Sequence, residues 1–231
     1  MASCQNGQAA CTQMLLRAGA AVDAPKKDGV TSLIASSTNG HVDCVRLLLE
    51  AGAAVNKGKA NGFTALMAAG HNGHDGCVRQ LLSSEADVNA ARSDGWTALM
   101  ASCQFGHTTC VAHLLEAKAS ADAAKGNGFT SLMLSAQNGH EDCLYLLLEA
   151  TVDVNAKNNK GSTSLVLASQ NGHDGFVRHL LAAGASVDDA RSDGLTALMA
   201  SSQNGHAACT LLLLDAGAAV DMRQADGETS L

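Results

Sequence analysis

Asp94-Gly95-Trp96-Thr97-Ala98-Leu99-Met100 is one of seven versions of a single phrase: a turn glycine, a variable residue, then Thr-x-Leu. The glycines are Gly29, Gly62, Gly95, Gly128, Gly161, Gly194 and Gly227, each 33 residues from the next. Thr31, Thr64, Thr97, Thr130, Thr163, Thr196 and Thr229 follow two places on. No insertion or deletion breaks the register over 231 residues. A fixed period of this length marks a stacked-repeat architecture, in which each unit buries its apolar face only against its neighbours. The period therefore predicts an elongated binding scaffold rather than a globule.

One unit, residues 26–58, shows how the phrase becomes structure. Asp28-Gly29 is a turn dipeptide. The Thr31 hydroxyl is placed to accept from an orphan N–H of the helix that follows. That first helix should run to about Asn39 and stop at Gly40. A second helix is expected from about His41 to Ala51, with Cys44, Val45, Leu48 and Leu49 buried and Arg46 and Glu50 in water. Gly52 ends it in a left-handed conformation, and residues 53–58 return extended to the next turn. Each unit is thus a turn plus two antiparallel helices.

Composition fits thin layers. Hydrophobic residues make up 46% of the chain but aromatics only 3%, as expected where helices pack through Ala, Leu, Val, Cys and Met. A net charge of −7 argues against a general binder of nucleic acid or anionic membranes. No apolar run reaches 18 residues, the length a membrane span needs, and residues 1–10 lack the basic and apolar regions of a signal peptide. The expectation is a soluble, intracellular, cytoplasmic protein.

The eight cysteines fall into register. Cys11, Cys44, Cys77, Cys110, Cys143 and Cys209 share one column, with Phe176 in the remaining slot; Cys4 and Cys103 share another. Equivalent positions on stacked helices lie about 8–10 Å apart, whereas a disulfide needs Cα atoms within about 7 Å. The phenylalanine shows that the slot takes a buried apolar group, and a thiol behaves as a small hydrophobe. Without a C-x-x-C pair there is no zinc signature, so buried, reduced core thiols and no metal are expected.

The unit resembles the ankyrin repeat: 33 residues, Thr-x-Leu opening the first helix, Asn-Gly-His between the helices, Leu-Leu-x-x-Gly-Ala closing the second. The resemblance covers the whole chain and implies an all-α ankyrin-repeat solenoid of helix-turn-helix units joined by β-turn, hairpin-like loops. The array reads as one domain, 1–231: a partial unit 1–25, full units 26–58, 59–91, 92–124, 125–157, 158–190 and 191–223, and a partial unit 224–231. The chain departs from the family's Thr-Pro-Leu-His tetrad. Its Pro slot holds Ser32, Ala65, Ala98, Ser131, Ser164 and Ala197, and its His slot Ile34, Met67, Met100, Met133, Val166 and Met199. Losing Pro at the first helical position removes about 0.4–1 kcal/mol of preorganisation per site.

The helix-ending glycine is kept at Gly19, Gly52, Gly184 and Gly217 but replaced by Glu85, Lys118 and Thr151. If those residues keep positive φ, each costs roughly 1 kcal/mol, and the middle units should be locally the least stable. Residues 91–102 recur as 190–201 with Leu195 for Trp96 as the only change, a sign of tandem duplication. The chain starts and stops inside a first helix, and the last second helix runs through Leu211, Leu212, Leu213 and Leu214. That suggests a slice of a longer array, a monomer whose uncapped ends offer end-to-end association.

The resemblance implies binding through the turn tips and the exposed, concave face of the first helices. The residue after the turn glycine is Val30, Phe63, Trp96, Phe129, Ser162, Leu195 and Glu228, so three of the chain's six aromatics stand in one column of three successive repeats. Phe105 adds a fourth ring in a column otherwise held by Asn39, Asn72, Asn138, Asn171 and Asn204. An exposed aromatic patch rimmed by polar groups suits a protein partner; the competing reading is that the rings pack on neighbouring turns. Beside it run Lys26, Lys59, Arg92, Lys125 and Arg191, able to steer an acidic peptide. His41, His74, His107, His140, His173 and His206 form one interhelix column read as structural, and His71 is the off-column histidine on the binding face. No catalytic set, phosphate loop or cofactor motif stands out. The leading function is a non-catalytic protein–protein interaction scaffold; the alternative is a spacer array with no dedicated patch.

Overall fold

The computed structural model describes residues 1–231, with fourteen helices and no strand. The chain divides into two compact units, Met1–Ser120 and Ala121–Leu231. Unit 1 holds α1 (Ala2–Gln5), α2 (Ala9–Arg17), α3 (Ser32–Thr38), α4 (Val42–Glu50), α5 (Ala65–His71), α6 (Asp75–Ser83), α7 (Ala98–Gln104) and α8 (Thr108–Glu116). Unit 2 holds α9 (Ser131–Asn138), α10 (Glu141–Glu149), α11 (Ser164–Asn171), α12 (Asp174–Ala182), α13 (Ala197–Gln203) and α14 (Ala207–Asp215). Within each unit the odd-numbered helices pack on one another as one layer and the even-numbered helices as a second.

The repeated phrase does what its chemistry dictates. Every turn threonine from Thr31 to Thr196 caps its helix, its hydroxyl accepting from the N–H three residues on: Ile34, Met67, Met100, Met133, Val166 and Met199. Such a cap is worth about 1 kcal/mol. The next residues fill the core. Leu33, Ile34, Leu66, Met67, Leu99 and Met100 are buried in unit 1, and Leu132, Met133, Leu165, Val166, Leu198 and Met199 in unit 2. Full burial of such side chains contributes about 1.5–3 kcal/mol each. Apolar side chains in the lost family His slot are therefore core, not defects.

The buried stripe of α4 has the expected four residues, with one of them exchanged. Cys44, Val45 and Leu48 are buried, but Leu49 is half-buried, and Leu47 is the more covered of that pair. Leu47 lines a shallow cleft together with Gln13, Leu16 and Arg17 of the preceding repeat. None of the eight cysteines forms a disulfide, and seven are buried. Cys11 is the exception. Cysteines of this column face the preceding second helix, as the 3.8 Å approach of the Cys44 thiol to Thr12 shows, and no helix lies on that side of α2. Phe176, the one ring in the column, is fully buried. Burial pushes the Cys77 thiol up to about 11 and Cys110 to about 12, with Asp75 adding to both. These thiols are protonated at neutral pH.

Two columns tie repeats together. His41, His74 and His107 in unit 1 set Nε2 at 3.0–3.1 Å from the carbonyls of Gln5, Thr38 and His71. His173 and His206 do the same to Gln137 and Gln170 in unit 2. A carbonyl only accepts, so Nε2 carries the proton. The interhelix glycine makes room: a β-carbon at Gly40 would stand 2.6 Å from Nδ1 of His74. The second column escaped the sequence reading. Asp23, Asn56 and Asn89 accept from the N–H groups of Ala54, Asp87 and Ser120 in the following repeat. In unit 2, Asp122, Asn155 and Asp188 accept from Asp153, Ser186 and Ala219.

Glu85, Lys118 and Thr151 do hold the left-handed conformation, at φ 62°, 66° and 58°. Glycine takes this region freely, and a β-branched side chain pays most for it.

Candidate functional site

The turn tips are small hairpins. In unit 1, the backbone N–H groups of Lys26, Lys59 and Arg92 donate to the carbonyls of Val30, Phe63 and Trp96 at 2.9–3.0 Å. The basic column and the aromatic column are thus opposite ends of one turn. Asp28, Asn61 and Asp94 accept from the N–H groups of Val30, Phe63 and Trp96, closing an Asx turn at each tip. Adjacent tips are linked, with Ser93 N–H donating to the Asn61 carbonyl at 2.9 Å. Unit 2 repeats the pattern, with Lys125 bonded to Phe129 and Arg191 to Leu195.

The first and last tips also reach the first helix before them. The Lys26 ammonium donates to Gln5 Oε1 at 3.1 Å, and in unit 2 Gln203 donates to the Glu228 carboxylate at 3.3 Å. Tip residues and the last residues of the first helices therefore line one surface in each unit.

The expected residues divide on that surface. Val30, Phe63, Trp96 and Phe129 are half-buried, so each keeps part of its side chain in water while packing the rest. Phe105 is exposed, at 43% of its surface. Leu195 is not on the surface: only 6% of it is accessible. Lys26 is exposed, and Lys59, Arg92, Lys125 and Arg191 are half-buried. Two of these cations are engaged within the tip, Arg92 with Asp94 at 3.0 Å and Arg191 with Asp193. Burial works to raise the Asp193 carboxyl, but the Arg191 hydrogen bond and the Leu195 N–H outweigh it and hold it below the usual range.

Phe105 has company that no sequence column announced. In five other repeats this position is an Asn whose side-chain amide donates to the carbonyl four residues back at 2.8 Å. Phenylalanine abandons that bond and offers a ring. Its centroid lies 4.4 Å from that of His71 in an edge-to-face arrangement and 6.3 Å from that of His107 in a stacked one. His107 is fixed by its own bond to the His71 carbonyl. Beneath, Ser102 Oγ donates to the Gly70 carbonyl at 3.2 Å, binding α7 to α5 where the rings meet. The available signal was that His71 and Phe105 each break their columns in adjacent repeats.

Unit 2 carries its own ring pair elsewhere. Tyr145 on α10 is 43% exposed. Its hydroxyl lies 2.8 Å from Nε2 of His179 on α12, whose Nδ1 is 2.6 Å from the Gly175 carbonyl. Nδ1 must donate to that carbonyl, so Nε2 accepts from the tyrosine. The charge is divided as unevenly. Unit 1 has nine Lys and Arg against nine Asp and Glu, whereas unit 2 has six against thirteen, so the whole net charge of −7 lies in unit 2. No helix is long and apolar enough to cross a membrane.

Comparison with known proteins agrees with this geometry. The family profile "Ankyrin repeats (3 copies)" matches residues 1–92, 86–158 and 150–226. Among solved structures, the human ASB11 ankyrin repeat domain superposes with a TM-score of 0.79 at 28% identity, over 87% of this chain and 90% of that one. No curated protein matches at significant similarity. With the profile spanning nearly the whole chain and the repeat chemistry visible residue by residue, the protein belongs to the ankyrin-repeat family.

Proposed function

We propose that the protein is a non-catalytic interaction module that binds an extended segment of a partner protein along its turn tips and first-helix ends. Ankyrin repeats are in general protein–protein interaction modules, and the finer assignment rests on one observation. In unit 1 the exposed Phe105 ring replaces an asparagine that is structural in five other repeats, on the same surface as the half-buried Phe63 and Trp96. Giving up a buried-end hydrogen bond to expose a ring costs stability, and the exposed aromatic is the kind of anchor that dominates protein interfaces. In unit 2, Phe129 offers a similar half-buried ring. Cysteines without disulfides suit a reducing intracellular compartment such as the cytoplasm.

The test is selection of binding peptides from a random display library on the full chain. Enriched peptides should lose at least about tenfold in affinity to Phe105→Asn or Trp96→Ala, the size of a moderate hot spot. Failure to enrich any sequence, or enriched peptides indifferent to both substitutions, would favour the spacer reading.

A further inference from the structure

The first helices of both units are almost free of ionisable groups. Apart from the thiols of Cys4 and Cys103, the only titratable side chain on any of them is His71. Gln5, Thr38, Gln104, Gln137, Gln170 and Gln203 occupy its column elsewhere. His71 is therefore the one first-helix side chain whose charge can change near neutral pH, and it lies on the surface assigned to partner binding.

His71 is exposed, and its neighbours lie on α7 and at the start of α8. Phe105 of α7 covers one edge of the imidazole, and His107, at the start of α8, approaches behind it. By register, Arg92, which is paired with Asp94, stands to His71 as Lys26 stands to Gln5. His74 bonds the Thr38 carbonyl, and the field of Asp75 bears on Cys77 and Cys110.

The acidic groups of unit 1 are segregated from this face. Asp28 and Asp94 sit at the tips with their oxygens committed to Val30 and Trp96. The other seven, Asp23, Asp43, Glu50, Asp75, Glu85, Asp87 and Glu116, lie on the second helices or the loops after them. Lys26, Lys27, Lys59 and Arg92 remain along the tips. A face with four cations, two occupied carboxylates and a stepped aromatic centre complements a segment that pairs carboxylates with an apolar anchor.

We propose that His71, Phe105 and His107 form a proton-coupled docking step for an acidic, extended partner segment, which binds more tightly when His71 carries a proton. The proposal rests on the assignment of this face to partner binding. In the free protein, removal from water against Phe105 and the nearby His107 both hold His71 below the ordinary histidine range. It is therefore neutral at neutral pH and presents an apolar edge. A docked carboxylate favours the imidazolium, so binding takes up a proton, and affinity rises as pH falls through the interval between the bound and free titration midpoints.

The test uses the full chain and two blocked pentapeptides, Glu-Glu-Phe-Glu-Glu and Gln-Gln-Phe-Gln-Gln, followed by amide chemical shifts and Trp96 emission at about pH 7.5 and about pH 5.5. The acidic peptide should shift the amides of His71, Gln104 and Phe105 and bind about three- to tenfold more tightly at the lower pH. His71→Gln, which installs the residue common in its column, should abolish that gain, so that affinity no longer rises at the lower pH. The neutral peptide should bind without pH dependence. In the free protein, the ring protons of His71 should titrate below the ordinary midpoint, and Phe105→Asn should raise it. If both peptides bind equally at both pH values, or His71→Gln keeps the gain, proton coupling is wrong while docking stands. If neither peptide perturbs this face, the docking assignment falls and the coupling with it.

Discussion

Residues 91–102 of unit 1 and 190–201 of unit 2 differ at one position, Trp96 against Leu195, and their tips close alike, with Arg92 bonded to Trp96 and Arg191 to Leu195 at 2.9 Å. The indole stays half in water, whereas the leucine, with its smaller side chain, is 94% removed from it. One backbone thus leaves an indole half in water in one unit and closes over a leucine in the other. The same division runs through the two units. Unit 1 is electrically neutral and bears its exposed ring at a first-helix end. Unit 2 carries the net negative charge and sets Tyr145 against His179 on its second helices.

The largest way to break the comparison is at a column that both units bury. Phe176→Ala in unit 2 should cost about 3–5 kcal/mol, and Cys77→Ala in unit 1 only about 1 kcal/mol, because the lost volume differs. Urea unfolding followed by circular dichroism measures both; equal losses would mean that Phe176 is not packed as described. Next come the loop acceptors that the sequence reading missed. Asn56→Ala removes the acceptor for Asp87 N–H and should cost about 1 kcal/mol, with faster exchange of that amide. Asp122→Ala in unit 2 should cost somewhat more, because its acceptor is a charged carboxylate.

Glycine at Glu85, Lys118 or Thr151 should stabilise the protein by about 1 kcal/mol each, most at Thr151. Unchanged or lower stability in all three would show that the left-handed conformation carries no strain there. The smallest effect separates the units by charge. Raising salt from low to about 0.15 M should slow amide exchange in unit 2 by a few tenths of a kcal/mol and leave unit 1 nearly unchanged.

Most of the fold was legible because every structural device repeats. The turn glycine, the capping threonine, the interhelix histidine and the buried cysteine slot each recur often enough for one exception, such as Phe176, to confirm the rule. The errors lie where a residue's fate depends on a neighbour. Leu47 lines a cleft shared with α2, Cys11 lacks a helix in front of it, and Leu195 is small enough to tuck in. The candidate site was half legible. Column-breaking aromatics pointed to Phe105 and Trp96, but His71 and Phe105 lie 34 positions apart, and only the stacking of α5 on α7 brings their rings together. The loop acceptors were hidden because Asp and Asn in a loop also read as ordinary turn residues.

Trp96 is the only tryptophan in the chain, and it stands in the column on which the account of unit 1 depends. Acrylamide quenching of its fluorescence in the reduced, native protein is therefore the most direct test. A half-buried indole should emit between the limits of buried and unfolded tryptophan, be partly quenched, and become protected when a selected peptide is bound. Blue-shifted emission, shielded from the quencher before any partner is added, would mean that unit 1 closes its tip as unit 2 does, and would contradict the recognition surface assigned to it.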